Sequence, residues 1–141
     1  MEQLAVLTNR KKKEPATSQA SAKRLTRNSK IIKTIIAAIQ AKKGQHIVSL
    51  DLRKINEAVA DFFIICEAGS QPQVRAIADH VQDQLLLVCG EKPYHHEGYH
   101  GLHWVLIDYV NVVVHVMHPE SRKFYRLEEM WSDASVLEHD E

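Results

Sequence analysis

The sequence predicts an α/β domain in which a mixed β-sheet is flanked by helices. Two stretches repeat apolar residues every three or four positions, as amphipathic helices do. Other stretches of six or seven residues are alternately or continuously apolar, as strands are. These patterns follow one another in the order helix, strand, strand, helix, strand, strand, helix. That order predicts a sheet covered by helices, with an antiparallel hairpin near the end.

The first three predicted elements lie before residue 69. Isoleucines at helical spacing predict a helix over residues 29–43, with Ser29 as its N-cap and Gly44 after its last turn. Residues 46–52 alternate between apolar and polar, which predicts a strand. Residues 62–68 form an almost continuous apolar run, which predicts a central strand buried on both faces.

The second helix is predicted to begin at Ser70. Its hydroxyl can accept a hydrogen bond from a free backbone N–H, and Gln73 completes a capping box. Gly90 is expected to end the helix. The predicted buried stripe consists of Val74, Ile77, Ala78, Val81, Leu85 and Val88.

The remainder of the chain is predicted to form a loop, a hairpin and a last helix. Residues 91–103 contain proline and two glycines and read as a loop. Residues 104–109 and 112–117 are predicted strands joined by a tight turn. Pro119 is expected to open a final short helix that continues to about Trp131.

Charge divides the chain into a basic and an acidic part. Residues 1–30 carry eight basic and two acidic side chains, a net charge of +6, whereas residues 31–141 carry ten basic and sixteen acidic ones, a net charge of −6. We therefore expect a basic disordered tail over 1–28, one domain over 29–133 and a frayed acidic tail over 134–141. An acidic body does not favour RNA by bulk charge, but it can dock onto a basic protein.

Composition also excludes several classes of protein. No run of eighteen apolar residues is present, so we expect no membrane span. Cys66 and Cys89 are predicted to be reduced thiols in a reducing compartment. The basic start lacks both a secretory apolar segment and an arginine-rich amphipathic face, which argues against a secretory signal or an organelle transit peptide. The expected location is the cytoplasm of a bacterial-type cell.

A histidine cluster precedes the predicted hairpin and raises the alternative of a metal-binding module. The cluster consists of His95, His96, His100 and His103, with Glu97 among them. Three or four ligands would have to converge at about 2 Å from the metal. Gly98 and Gly101 disfavour the helix that would bring these side chains together. We therefore expect surface histidines, with no metal and no cofactor.

The Gly69–Ser70 pair between a strand and a helix raises a second alternative, a nucleotidyltransferase. Such a pair can hold phosphate, but two-metal chemistry also needs two carboxylates two positions apart on one strand face. Here Asp79 and Asp83 lie four apart on a helix, and the next strand offers only Asp108. We predict that Ser70 is an N-cap and that the protein is not an enzyme.

Trp104, Leu106 and Asp108 alternate along one predicted strand and therefore share one face. An aromatic, an aliphatic and a carboxylate side chain together can form a binding hot spot for a basic partner. Alternatively, Trp104 belongs to the core and Asp108 caps the following turn. Spacing alone does not decide between the two interpretations.

An ordered series of short motifs extends over residues 31–133. The motifs are Val48-Ser-Leu-Asp51-Leu, Asp61-Phe-Phe-Ile-Ile, Gly69-Ser70, Ala76-Ile-Ala-Asp79, Glu97-Gly98, Trp104-Val-Leu-Ile-Asp108, Val112-Val-Val-His115-Val-Met, Ser121-Arg122, Phe124-Tyr125, Leu127-Glu128 and Trp131. In this order they resemble the ribosomal silencing factor (Iojap) family.

The resemblance implies a function without chemistry. Members are similar in fold to nucleotidyltransferases but lack the catalytic carboxylates, and they can form homodimers. They bind the large ribosomal subunit through its ribosomal protein fourteen, obstruct subunit joining and lower translation when nutrients are scarce. By this resemblance the present chain would act as a steric block.

The resemblance also suggests site residues. Trp104 and Asp108 match the family's tryptophan and aspartate and are the expected contacts, with Leu106 between them. Four more landmark residues are expected either to contact the partner or to support the fold: Glu97, His115, Arg122 and Tyr125. On this view Trp104→Ala and Asp108→Ala weaken ribosome binding and leave the fold intact.

Two features depart from the family pattern. Val110 stands where many members have glycine, and a two-residue primed turn requires a positive φ that a β-branched residue resists. We therefore expect another turn type or a longer loop. The basic residues 1–30 lie outside the resemblance; a solvated tail is favoured, and contact with ribosomal RNA is the alternative.

Overall fold

The computed structural model describes residues 25–27 and 29–139. In chain order the elements are α1 (Lys30–Ala41), β1 (Gln45–Asp51), β2 (Phe62–Glu67), α2 (Gln71–Gln84) continued by a π-helical turn (Leu85–Cys89), β3 (His95–Glu97), β4 (Trp104–Asp108), β5 (Val112–Met117), α3 (Pro119–Tyr125), α4 (Leu127–Met130) and β6 (Ser135–His139). None of the helices in these ranges has the length and apolar content needed to cross a membrane.

The six strands form one mixed sheet in the order β3-β4-β5-β2-β1-β6. β2 and β5 pair in parallel, and the other neighbours pair antiparallel. The β4–β5 hairpin is the one predicted from the sequence. β2 and β5 occupy the middle of the sheet, which explains why almost every residue in them is apolar. The predicted α/β fold with a mixed sheet is therefore confirmed.

Each face of the sheet is covered by different elements. The first face packs against α1 and α2, and its core includes Ile35, Ile64 and Val114. The second face packs against residues 52–60 and the short helices α3 and α4. This second face carries most of the residues that resemble the family's site.

Two strands were not predicted. β3 lies within the predicted loop 91–103, and it is only three residues long. β6 lies within the segment 134–141 that was predicted to fray, and it pairs with β1 from Ile47 to Asp51. Short edge strands like these form because a neighbour pairs with them, so their own pattern is weak.

Helix ends also differ from the predictions. Val88 is 39% exposed, not buried, because the helix widens into the π-helical turn and changes the direction of the side chains that follow. Gly90, with φ of 68°, ends the helix as predicted. The predicted last helix is two helices, since Arg126 adopts a left-handed conformation with φ of 51°.

The predicted domain start at residue 29 is too late. Leu25 packs against the core of the first face, and Arg27 forms hydrogen bonds with β1 and β6. Ser29 occupies the N-cap position of α1, but its hydroxyl accepts from the N–H of Thr26 at 2.8 Å. Most of the predicted basic tail, residues 1–24 and 28, lies outside the described residues.

Candidate functional site

Trp104, the expected contact residue, is buried in the second face of the sheet. Its side chain is 4% exposed. The indole N–H donates to Nδ1 of His115 at 3.0 Å, and the ring lies 4.8 Å from the ring of Tyr125, centre to centre. An indole in this position cannot reach a partner unless the domain rearranges. The interpretation of Trp104 as an exposed contact was wrong, and the core interpretation holds.

Leu106 and Asp108 are also fully buried. Oδ1 of Asp108 accepts from the N–H of Val110 at 2.8 Å, so the carboxylate holds the hairpin turn. In that turn the N–H of Asn111 bonds the carbonyl of Tyr109 at 2.9 Å, two residues back. Val110, between them, has φ of 74°, so the connection is a γ-turn and not a primed two-residue turn. Asp108 therefore caps a turn and is not placed to meet a basic partner.

His115 supports Trp104 from the neighbouring strand. It is completely buried, and burial lowers its pKa to about 3, so the ring is neutral. Because the indole can only donate, Nδ1 of His115 is the acceptor and Nε2 carries the proton. Nε2 has no hydrogen-bond partner among the described residues. The ring packs edge-on against Phe63 at 4.6 Å. These contacts give His115 a supporting role.

Arg122 joins α3 to the sheet and to α4. Its guanidinium is 10% exposed and lies 2.6 Å from Glu128 and 3.4 Å from Glu67. It also donates to the carbonyl of His46 at 2.6 Å. A planar guanidinium that is held on several sides fixes the helix against the strands. Of the two roles expected for Arg122, the geometry favours support.

Glu97 lies on the edge strand β3. Its carboxylate bonds Nε2 of His95 at 2.8 Å. The adjacent Gly98 has φ of 96°, and a Cβ there would overlap the carbonyl oxygen of Trp104. The Glu97–Gly98 motif therefore contains a glycine that the packing of β3 on β4 requires.

The short helices α3 and α4 cover the second face of the sheet and expose several apolar side chains to solvent. We call these exposed side chains the helix-pair surface. It consists of Phe124, which is 77% exposed, Met130, which is 50% exposed, and the half-buried Tyr125. The Phe124 ring packs edge-on against Tyr125 at 4.9 Å, and Tyr125 in turn packs against Trp104. An exposed aromatic ring is thus backed by the half-buried ring of Tyr125, which lies on the buried indole of Trp104. Tyr125 is one of the site residues predicted from the family resemblance, whereas Phe124 belongs to the same motif but was not among the predicted contacts.

Ser70, which raised the possibility of a phosphate site, has a structural role instead. The Ser70 hydroxyl accepts from the N–H of Gln73 at 3.2 Å, which confirms Ser70 as an N-cap. Burial raises the pKa of the Cys66 thiol to about 12, so this cysteine is not a nucleophile at neutral pH. Within residues 25–27 and 29–139, no group of three or more histidine, cysteine or acidic side chains is placed to hold a metal ion.

Comparison with known proteins gives a consistent family. Residues 25–141 match the family described as ribosomal silencing factor during starvation. The Ribosomal silencing factor RsfS of Halalkalibacterium halodurans is 39% identical over 111 residues, covering 79% of this chain and 93% of that protein. The protein of the same name from Bacillus subtilis is 40% identical over 110 residues, covering 78% of this chain and 92% of that protein.

A solved structure supports the same relationship. The crystal structure of a protein from Chromobacterium violaceum superposes with a TM-score of 0.69 at 36% identity, covering 72% of this chain and 83% of that chain. The family's description names a regulatory factor that silences ribosomes and not an enzyme. Since its model matches all but the first 24 residues, this chain belongs to the ribosomal silencing factor family.

Proposed function

We propose that this protein binds the large ribosomal subunit through ribosomal protein fourteen and prevents the small subunit from joining, which lowers translation when nutrients are scarce. The observation that carries the proposal is the family match over residues 25–141. The mechanism is steric: a body of 16.1 kDa occupies space that the other subunit needs. No bond is made or broken in this mechanism.

The helix-pair surface is the contact that we propose. Its central feature is Phe124, because an exposed ring packed on a fixed neighbour loses little side-chain entropy on binding. Aromatic anchors of this kind carry much of the binding energy in protein interfaces. Tyr125 and the buried Trp104 hold Phe124 in place. The family landmarks thus act indirectly, by building the platform under the contact.

The negative net charge of the domain favours binding to a basic partner. Residues 31–141 have a net charge of −6, with ten basic and sixteen acidic side chains. A negative body attracts a positively charged protein surface over a distance of about 10 Å at 0.1 M salt, and this attraction raises the association rate. We therefore expect binding to weaken as salt concentration rises.

Co-sedimentation with purified large subunits tests the proposal. Wild-type protein is expected to co-sediment and to slow subunit joining measured by light scattering. Phe124→Ala should weaken binding by about tenfold or more. Leu87→Ala is the matched control, since Leu87 is an equally exposed apolar residue, 78% exposed, on the π-helical turn.

The outcomes distinguish binding to the large subunit from the choice of the helix-pair surface as the contact. Failure of wild-type protein to co-sediment at moderate salt would refute large-subunit binding. If the wild type binds and the Phe124 and Leu87 variants bind as tightly, the helix-pair surface is not the contact. Loss of binding to large subunits that lack ribosomal protein fourteen would support that protein as the partner, and unchanged binding would exclude it.

The remaining parts of the proposal concern the basic segment and the free protein. For the basic start of the chain, predicted as a tail over 1–28, contact with ribosomal RNA phosphates and a solvated tail are the two alternatives, and both can be tested on residues 1–24. Removing them should reduce the salt dependence of binding in the first case and leave it unchanged in the second.

We place the protein in the cytoplasm and expect the free protein to be a homodimer, as the family resemblance implies. Sedimentation equilibrium measures that oligomeric state.

A further inference from the structure

The side chain of Arg27 connects the two ends of the domain. Its Nη1 donates to the hydroxyl of Ser49 on β1 at 2.8 Å. Its Nη2 donates to the carbonyl and the hydroxyl of Ser135 on β6, at 3.1 and 3.0 Å. Arg27 and Ser135 are 108 positions apart in the chain. One guanidinium thus joins the segment that precedes α1 to the last strand.

Ser49 is the centre of this arrangement. It is a polar residue that is only 1% exposed, and its hydroxyl also bonds Nε2 of His139 at 2.9 Å. Arg27 therefore holds the beginning of β6, and His139 holds its end. We call the four residues Arg27, Ser49, Ser135 and His139 the β6 clasp.

Arg27 is itself held in position. Leu25 packs against the core of the first face, and its carbonyl accepts from Nη1 of Arg53 at 3.2 Å. Arg53 is paired with Asp51 at the end of β1, with 2.6 Å between nitrogen and oxygen. The segment that precedes Arg27 is therefore anchored to the domain at Leu25, and the guanidinium can bridge two strands at a small cost in entropy.

β6 has little else to hold it. It is an edge strand whose neighbour in the sheet is β1. Its two apolar side chains contribute little burial, since Val136 is 51% and Leu137 is 44% exposed. The strand is thus stabilised by its ladder with β1 and by polar contacts, and the loss of a polar contact should have a large effect on it.

We propose that the β6 clasp is a conformational device: when it is closed β6 is seated on the sheet, and when it opens β6 leaves and β1 becomes the edge of the sheet. The device links the seating of the last strand to the segment that enters the domain at Leu25. Neutral His139 suits the closed state, because burial and the nearby charge of Arg27 both lower its pKa. This inference does not depend on ribosome binding.

Amide hydrogen exchange on the full chain, read by mass spectrometry, tests the clasp. In Arg27→Gln we expect the amides of Ser135–His139 to exchange about tenfold faster or more, because charge-assisted hydrogen bonds are lost. Amides of β2 and β5 should keep their wild-type rates. Lys33→Gln is the matched control, since it removes one positive charge from the exposed side of α1.

Two further variants separate charge from geometry. Arg27→Lys keeps the charge but lacks the two-nitrogen fork, so it should also accelerate exchange in β6. Ser49→Ala removes the hydroxyl that bonds both Arg27 and His139, with little change in volume, and should have the same effect.

Three results would overturn the proposal. One is exchange in β6 of Arg27→Gln that stays within about twofold of wild type, since the loss of charge-assisted hydrogen bonds should change it far more. Another is an equal acceleration in Lys33→Gln. The third is an equal acceleration of β2 and β5, because β6 would then open only when the whole domain unfolds.

Discussion

Replacing Trp104 with alanine distinguishes a buried support from a surface contact. The substitution removes an indole that is 4% exposed, and truncating a buried tryptophan costs about 3–5 kcal/mol. It also leaves Nδ1 of His115 without its donor inside the protein, where an unsatisfied polar atom costs about 1–3 kcal/mol. We expect the free energy of unfolding to fall by about 4 kcal/mol or more, a large part of the 5–15 kcal/mol typical of a domain.

Urea denaturation followed by far-ultraviolet circular dichroism measures this loss. Trp104→Phe should cost less, about 1–3 kcal/mol, because a smaller aromatic ring still fills most of the site while the hydrogen bond to His115 is lost. Phe124→Ala is the surface control and should change stability by less than about 1 kcal/mol. A Trp104→Ala variant that unfolds within about 1 kcal/mol of wild type and still loses ribosome binding would contradict the supporting role of Trp104. That result would mean that the indole is a contact after all.

Three further predictions concern the residues that support the site. Val110→Gly should raise the melting temperature, since strain at φ of 74° costs about 1–3 kcal/mol and glycine in its place costs about 0.5–1 kcal/mol in entropy. Arg122→Ala should lower stability by about 2 kcal/mol or more, because it removes a side chain that is only 10% exposed together with its bonds to Glu128, Glu67 and the carbonyl of His46. Replacing the exposed Arg126 with alanine should change stability by less than about 0.5 kcal/mol. In the folded protein the pKa of His115 is lowered from 6.5 to about 3. As the pH falls below 6.5, the unfolded chain therefore takes up a proton on this histidine before the folded protein does. Stability measured by urea titration should therefore decrease toward pH 3, by up to about 1.4 kcal/mol per pH unit from this group, and His115→Phe should remove that part of the slope.

Most of the fold could be predicted because its signals are local. The run at Phe62 is apolar at almost every position, as is typical of a central strand buried on both faces. Ser70 and Gly90 mark the two ends of a helical stretch by their own conformational preferences. β6 could not be predicted in this way, since its residues are mostly exposed. It is ordered through its ladder with β1 and the hydrogen bonds from Arg27, which is 108 positions away from Ser135.

The site was harder to predict because alternation shows which residues share a face but not what covers that face. Trp104 and Asp108 do lie on one side of β4, as their spacing predicts, but α3, α4 and residues 52–60 cover that side. A buried carboxylate is tolerated there since the turn at Val110 offers it an N–H. Exposure of Phe124, in contrast, follows from where a seven-residue helix sits on the covered sheet, and no pattern within that helix encodes this. The motifs that carry the family resemblance therefore locate the platform, and a contact has to be sought among the side chains that the platform turns toward solvent.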